Sequence, residues 1–226
     1  MTIPDASGSE PRGPDVSRET SVEAEPATAA TVFGARIDLA RQYTADLGHR
    51  GEELGLIGPL ELPRLWSRHI LNCVLIAPLL RQGTVGDVGS GAGLPGLVLA
   101  IARPDIAFIL IEPMERRVEW LSHESAALGL ANVEVVRARA EEAKLPAALD
   151  QVTARAVTAL SKLIPATAPL LLHGGEMLFF KGARVQDEVA AAQKQIRKAR
   201  LTNIEVLELG EGIVPEVTRV FRATVD

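Results

Sequence analysis

Over the last two thirds of the chain, apolar runs of strand length alternate with apolar positions at helical spacing. The run at 84–88 leads into a glycine-rich loop, and the continuous run at 106–112 suits a strand buried on both faces. Helical spacing between strands is clear where Val118, Leu121 and Leu128 recur, and further helices are expected over about 160–172 and over 185–196. The last two strands have a short connection and should form an antiparallel hairpin at a sheet edge. The pattern predicts an α/β fold, an open seven-stranded and mostly parallel sheet. Its remaining strands are expected at 132–138, 150–157, 176–182, 204–209 and 218–225.

Ahead of the sheet, apolar positions at helical spacing predict an amphipathic helix over 33–47 and a second helix over 62–77. Residues 31–80 would therefore form an N-terminal helical extension of one domain, which spans 31–226. Residues 1–30 are rich in Pro, Ser, Glu, Ala and Thr and have little apolar surface to bury. They are predicted to be a disordered tail.

The charge and the cysteine content exclude several classes of protein. The net charge is −5, and residues 1–30 hold six acids and two arginines, so the remaining chain is nearly neutral. A neutral body argues against non-specific coating of nucleic acid, which needs many phosphate contacts. Cys73 is the only cysteine, which excludes an intramolecular disulfide and a cysteine-based metal cluster. No other spacing suggests a metal site, and without a signal peptide or an apolar run of membrane length a cytoplasmic location is expected.

The loop after the first strand, DVGSGAGLPG, contains glycines in two overlapping registers. Gly91, Gly93 and Gly96 match the G-x-G-x-x-G fingerprint of dinucleotide-binding folds. Starting from Asp87, the pattern is instead an acid followed by Gly89, Gly91 and Gly93. Ligands of open α/β sheets bind beside the first strand, beyond the carboxyl ends of the strands, where this loop lies. The register therefore decides the kind of ligand.

The residue types around the loop favour a ligand without phosphate. Pro95 removes one amide from the helix start, where a diphosphate would need donors, and the carboxylate of Asp87 would repel a diphosphate. S-adenosylmethionine has a sulfonium, an ammonium group and a ribose, and no phosphate. Glu112, at the end of the second strand, is placed to accept the ribose hydroxyls of either kind of cofactor. Asp87 and the glycine register therefore predict an S-adenosylmethionine site.

Five short runs carry a resemblance to a known family: RHIL (68–71), DVGSGAGLPG (87–96), RAEE (139–142), ARA (154–156) and LFFKG (178–182). Over residues 33–226 the chain resembles the ribosomal small-subunit methyltransferase G family, also called glucose-inhibited division protein B. The resemblance implies a Rossmann-like, S-adenosylmethionine-dependent (class I) methyltransferase. It implies methylation at N7 of guanine 527, in the 530 loop of 16S rRNA, within the 30S subunit or a precursor. A monomer is expected, and loss of activity is expected to give low-level streptomycin resistance.

The resemblance also assigns residues to the cofactor. Gly89 and Leu94 would contact its methionine part and adjoining atoms. Ala140 and Glu141 would border the adenine, and Arg155 would close the pocket. The argument from the loop adds the remaining predicted cofactor-binding residues, which are Asp87, Gly91, Gly93 and Glu112.

Basic residues at strand ends form the predicted RNA side, with Arg139, Arg155 and Lys181 on one rim. Arg139 and Lys181 are predicted to position the target. No general base is expected, because N7 of guanine has a lone pair and carries no proton. His69 is predicted to be a core residue rather than a catalyst. A wider basic face runs from Lys181 to Arg200, and its predicted phosphate-binding residues are Arg184, Lys194, Arg197 and Lys198.

Three other functions remain open from the residues alone. The chain could be a methyltransferase of a small molecule or a protein, which would have an apolar lid instead of an arginine-rich rim. It could be a nicotinamide dehydrogenase that uses Gly91, Gly93 and Gly96. It could also be a non-catalytic assembly factor that binds the cofactor and the ribosome without turnover.

Overall fold

Seven strands form one sheet in the computed structural model, which describes residues 21–58 and 60–226. The strands are β1 (Thr84–Val88), β2 (Ala107–Ile111), β3 (Val133–Val136), β4 (Leu149–Ala154), β5 (Leu171–Lys181), β6 (Leu201–Leu209) and β7 (Thr218–Val225). Their order across the sheet is β3-β2-β1-β4-β5-β7-β6. Strands β1 to β5 are parallel, and β7 is antiparallel to both β5 and β6. The predicted α/β fold with its C-terminal hairpin is confirmed.

Two layers of helices cover the sheet. The first layer consists of α1 (Thr28–Phe33), α2 (Ile37–Arg50), a π-helical turn (Leu65–Leu71) that leads into α3 (Asn72–Val74), α4 (Gly96–Ala102) and α5 (Glu115–Ala127). The second layer consists of α6 (Leu160–Thr167), α7 (Val185–Ala191) and α8 (Gln193–Lys198). Alternation along β5 serves both cores, since Leu178 and Phe180 pack in the first layer and Met177 and Phe179 in the second. The carboxyl ends of β1 to β5 therefore meet at one edge, between the two layers.

The prediction of disorder up to residue 30 is wrong for its last ten residues, and residues 1–20 lie outside the described part of the chain. The backbone N–H of Glu23 donates to the carbonyl of Leu62 at 2.9 Å, and its carboxylate accepts from the N–H of Ser67 at 2.9 Å. Glu25 forms two hydrogen bonds with Arg41. These contacts are polar and non-local, so a composition poor in apolar residues gives no sign of them.

Three predicted helices have different bounds in the structure. The helix expected to reach residue 172 ends at Thr167, and β5 already begins at Leu171. The helix expected over 185–196 is divided at Ala192 into α7 and α8. The second N-terminal helix is mostly the π-helical turn. Within the described ranges, no helix is long and apolar enough to cross a membrane.

Candidate functional site

The glycine loop turns sharply between β1 and α4. Gly89, Gly91 and Gly93 have φ angles of 70°, 57° and 99°. Residues with a Cβ rarely adopt this region of backbone conformation. At Gly89 a Cβ would also lie 2.8 Å from Cγ2 of Val157, in the segment that follows β4. The loop therefore needs glycine both for its turn and for the close approach of the neighbouring segment.

Hydrogen bonds from three directions hold the loop in place. The N–H of Gly89 donates to the carbonyl of Ile111 at 2.8 Å, which ties the loop to the end of β2. The carbonyl of Ala92 accepts from the hydroxyl of Tyr43 and from Nε1 of Trp120, each at 2.8 Å. Tyr43 lies on α2 and Trp120 on α5, and both are buried. The helical extension is thus part of the scaffold that fixes the loop.

Asp87 lies beneath the loop, not on a cleft wall. It is fully buried, and its Oδ1 accepts from the hydroxyl of Thr153 at 3.0 Å while its Oδ2 accepts from the N–H of Gly96 at 3.1 Å. Burial raises its pKa to about 6, against the opposing effect of these hydrogen bonds. The expectation that Asp87 itself faces the ligand is therefore not met, because its oxygens are already used to shape the loop.

The first three positions at the start of α4, Pro95 to Leu97, have no amide left for a diphosphate. The N–H of Gly96 is taken by Asp87, the N–H of Leu97 donates to the carbonyl of Gly93 at 2.8 Å, and Pro95 has no N–H. A phosphate site at a helix start depends on such donors. The dinucleotide register of the glycines is therefore unsuited to its usual ligand in this chain.

Gly96 is required for packing, and we expect Gly96→Ala to lower the free energy of unfolding by about 2 kcal/mol. A Cβ there would lie 2.3 Å from Cδ2 of Leu110 and 2.6 Å from Oδ2 of Asp87, both in the buried interior. Urea unfolding measures the effect. Gly182→Ala is the matched control, since nothing lies within 4 Å of the Cβ it would add. Equal stability of the two variants would contradict this account of Gly96.

Two adjoining clefts open above the carboxyl ends of the strands. The first cleft, of about 420 Å³, is lined by Gly89, Glu112, Arg139, Ala140 and Glu141 among others. The second cleft, of about 290 Å³, is lined by the loop from Gly89 to Ala92, by Leu94 and Arg155, and by residues of the helical extension. The two clefts share Gly89, Arg117 and Ala156, so one extended ligand can occupy both. The structure thus brings together most of the predicted cofactor-binding residues; Gly93 packs against Leu97 behind them.

Glu112 is the central acid of the first cleft. Its side chain is only 2% exposed, and its two oxygens accept from the N–H of Gly91 at 2.9 Å and from the N–H of Met114 at 3.0 Å. A carboxylate has about four acceptor positions, so lone pairs remain for ligand hydroxyls. This geometry fits the ribose of an adenosine and fixes the glycine loop at the same time.

Arg155 stands between the second cleft and a third one. Its guanidinium donates to Sγ of Cys73 at 3.3 Å, to the carbonyl of Arg68 at 3.0 Å and to Nδ1 of His69 at 3.1 Å. The third cleft, of about 380 Å³, lies on its other side and is lined by Arg68, Asn72, Lys181 and Arg219 among others. Arg155 thus borders both the predicted cofactor site and a cationic pocket.

His69 is a satisfied histidine, as predicted, but it also lines the second cleft. Its Nε2 lies 2.7 Å from Oε2 of Glu61, and its Nδ1 faces Arg155. Burial, followed by the charge of Arg155, lowers its pKa to about 4. His69 is therefore neutral near pH 7, with Nε2–H donating to Glu61 and Nδ1 accepting from Arg155. Glu61, His69 and Arg117 are site residues that the sequence did not reveal.

The predicted RNA-contacting residues do not share one surface. Lys181 is only 7% exposed, and its Nζ donates to the carbonyl of Thr158 and to Glu188, each at 2.8 Å. Arg139 is exposed in the first cleft and does not line the third cleft. Arg184 is exposed just before α7, close in sequence to Lys181. The rim predicted from strand ends is therefore divided between two clefts.

The rest of the basic face lies further away. Lys194, Arg197 and Lys198 are exposed on α8, which leads to Leu201. Leu201 pairs with Val225, because β6 starts where the antiparallel β7 ends. This pair lies at the amino-terminal ends of the parallel strands, opposite the clefts. The chain has to return along the sheet between β5 and β6, which carries α8 away from the clefts.

Comparison with known proteins agrees with this geometry. A family model described as rRNA small subunit methyltransferase G matches residues 36–216. The ribosomal RNA small subunit methyltransferase G of Leifsonia xyli subsp. xyli is 66% identical over 205 residues, covering 91% of this chain and 98% of that protein. The protein of the same name from Corynebacterium glutamicum is 47% identical over 197 residues, covering 85% of this chain and 88% of its own length.

Solved structures support the fold. TYW2 of M. jannaschii, in complex with AdoMet, has a TM-score of 0.56 at 19% identity and covers 70% of this chain and 76% of its own. A SAM-dependent methyltransferase from Aquifex aeolicus has a TM-score of 0.54 at 20% identity and covers 74% of this chain and 95% of its own. At such identities the likeness concerns the fold alone. From the family match and its close relatives, the chain belongs to the rRNA small subunit methyltransferase G family and has the fold of S-adenosylmethionine-dependent methyltransferases.

Proposed function

We propose that the protein methylates N7 of guanine 527, in the 530 loop of 16S rRNA, with S-adenosylmethionine as methyl donor. The observation that supports this most is that the two clefts lined by the predicted cofactor-binding residues adjoin a cationic third cleft, with Arg155 bordering both the second and the third. The family match over 36–216 supports the rRNA substrate. A protein or small-molecule methyltransferase is expected to have an apolar lid over its pocket, whereas this third cleft is lined by four cations.

The residues of the two adjoining clefts fit S-adenosylmethionine. Glu112 would accept from the ribose hydroxyls, while Ala140 and Glu141 would border the adenine. Gly89 and Leu94 would lie against the methionine part in the second cleft. The lack of an available amide at Pro95, Gly96 and Leu97 suits a ligand without phosphate. When bound, S-adenosylmethionine would supply an electrophilic methyl group on a positively charged sulfur, with neutral S-adenosylhomocysteine as the leaving group.

This chemistry requires the protein to orient groups and exclude water, and it requires no proton transfer. The lowered pKa of His69 agrees with that, because the ring stays neutral and holds Arg155. We infer that the substrate is the 30S subunit or a precursor, methylated in the cytoplasm by a monomer. Loss of the activity would then give low-level streptomycin resistance.

The first test is transfer of tritiated methyl groups to 30S subunits that lack the modification, with the product mapped by chemical cleavage at 7-methylguanosine. We expect one labelled guanine, in the 530 loop. Bare 16S rRNA and protein-depleted core particles are assayed in parallel, which identifies the assembly state of the substrate. Cofactor binding without transfer to any of these RNAs would favour the non-catalytic assembly factor. Binding of NADH in place of S-adenosylmethionine would favour the dehydrogenase.

The basic face of α8 offers a prediction on RNA binding. We expect replacement of Lys194, Arg197 and Lys198 by glutamine to weaken 30S binding and to reduce the salt slope of log Kd by about 2 to 3, if each contacts a phosphate. Filter binding across a salt series measures both effects, and affinity for S-adenosylhomocysteine should not change. Lys144→Gln, an exposed lysine elsewhere, is the control. An unchanged salt slope would show that α8 does not contact RNA.

A further inference from the structure

The third cleft contains four cations, and three of them are already paired with carboxylates. Lys181 is buried against Glu188, and Arg219 lies 2.8 Å from Glu208. Arg68 lies 3.6 Å from Glu61 and 3.8 Å from Glu216. Arg155, by contrast, takes part in no ion pair within the part of the chain that the structure describes. Its charge is therefore the one left for a ligand.

The guanidinium of Arg155 is also held in a fixed position and has donors left for a ligand. Three of the five N–H donors of its guanidinium are directed at Cys73, the Arg68 carbonyl and His69, which leaves two donors free. His69 can accept from Arg155 at Nδ1 because Glu61 holds the ring in the Nε2–H form. Glu61, His69 and Arg155 therefore form a chain of hydrogen bonds that fixes the guanidinium where the second and third clefts meet.

We propose that the third cleft holds the target guanine, and that Arg155, positioned by Glu61 and His69, donates a hydrogen bond to its O6. This inference rests on the proposed methylation at N7. The methyl group enters from the second cleft, so N7 has to approach the boundary that Arg155 occupies. O6 is the neighbouring acceptor on the same edge of guanine, whereas adenine carries an amino group there. Since arginine can only donate, this contact accepts guanine and rejects adenine.

The contact with O6 is tested by a double-mutant cycle. One arm is Arg155→Met, and the other is 30S subunits reconstituted from ligated 16S rRNA with 2-aminopurine at the target position. This base keeps N7 and lacks O6. Loss of O6 should slow methyl transfer by wild type about tenfold to a hundredfold, the effect of losing one hydrogen bond to a charged group. Methyl transfer by Arg155→Met is already slow, and the loss of O6 should slow it little further. Additive effects would overturn the contact.

The positioning role of His69 is tested by a matched pair of variants. The side-chain oxygen of asparagine falls near the place of Nδ1, so His69→Asn keeps an acceptor for Arg155. The longer His69→Gln places its amide near Nε2, so it keeps the contact with Glu61 and loses the one with Arg155. We expect His69→Asn to retain kcat within about fivefold and His69→Gln to lose at least tenfold. Equal losses in both would overturn the positioning role, and losses of a hundredfold or more in both would indicate acid–base catalysis.

Two further measurements separate this inference from simpler explanations. Affinity for S-adenosylhomocysteine, measured by calorimetry, should stay within about threefold of wild type in both His69 variants; a larger drop would mean that they damage the cofactor site instead. His173→Gln is the control, because His173 is exposed at the amino-terminal part of β5, away from the clefts. If Arg155→Met does not fold, His69→Gln takes its place in the cycle with 2-aminopurine, and additive effects there would overturn the contact with O6. Failure of wild type to methylate any RNA would refute the proposed function itself.

Discussion

Glu112→Gln is expected to weaken the binding of S-adenosylmethionine by about a hundredfold. The carboxylate accepts from the N–H groups of Gly91 and Met114 and has lone pairs left for ribose hydroxyls. Glutamine has a single acceptor oxygen, so its NH₂ group must face one of the two N–H donors. The variant therefore loses a charged acceptor for the ligand and loosens the glycine loop at once. Isothermal titration calorimetry measures the affinity.

Glu115→Gln is the matched control for this result. Glu115 begins α5 only three residues later, but it is exposed and pairs with Arg137 at 2.7 Å, outside both clefts. The affinity of Glu115→Gln for S-adenosylmethionine should stay within about twofold of wild type, because an exposed ion pair contributes little. An unchanged affinity in Glu112→Gln would mean that the ribose binds elsewhere and that the assignment of the first cleft is wrong.

Asp87→Ala is expected to lower the free energy of unfolding by about 4 kcal/mol at pH 7.5. The change leaves the N–H of Gly96 and the hydroxyl of Thr153 buried without their acceptor. Asp87→Asn should be tolerated far better, since its amide can accept from Gly96 and donate to the threonine oxygen. Urea unfolding of the two variants measures the difference. Similar losses in both would show that the charge, not the hydrogen bonds, is what the loop needs.

The difference in stability between wild type and Asp87→Asn is expected to depend on pH. The pKa of Asp87 is raised from 3.8 to about 6 by burial, so the folded state holds this proton more tightly than the unfolded state does. The stability from this group is therefore fully present below about pH 4 and is lost as the pH rises through 6. Wild type should lose about 3 kcal/mol relative to Asp87→Asn over this range. A constant difference between the two from pH 4 to 7.5 would contradict the raised pKa.

The strands could be predicted where the sequence marks them locally. The bounds of β1 and β7 agree with their apolar runs. The start of β5 could not be predicted, because Leu171 continues a helical pattern and the following His173 and Gly174 give no strand signal. This part is a strand because Leu171 pairs with Leu149 of β4, and such a partner cannot be recognised from a single segment.

The grouping of Gly89 and Glu112 in one cleft could be predicted, because both residues follow directly after parallel strands. The direction of a side chain cannot be predicted in this way: the sequence pattern puts Asp87 at the ligand, whereas its side chain lies beneath the loop. The contact between His69 and Arg155 joins residues 86 positions apart, and no spacing announces it. Tertiary packing, not local pattern, determines these features.

Strand β7 lies between β5 and β6 although it follows both along the chain. During translation, β6 therefore leaves the ribosome before the only strand it pairs with in the described sheet. Until residues 218–225 emerge, the side of β5 that β7 will cover has unpaired backbone groups, which can recruit strands of other nascent chains. The sheet can close only after residues 218–225 have emerged, and a ribosome stalled before residue 218 would carry an aggregation-prone intermediate.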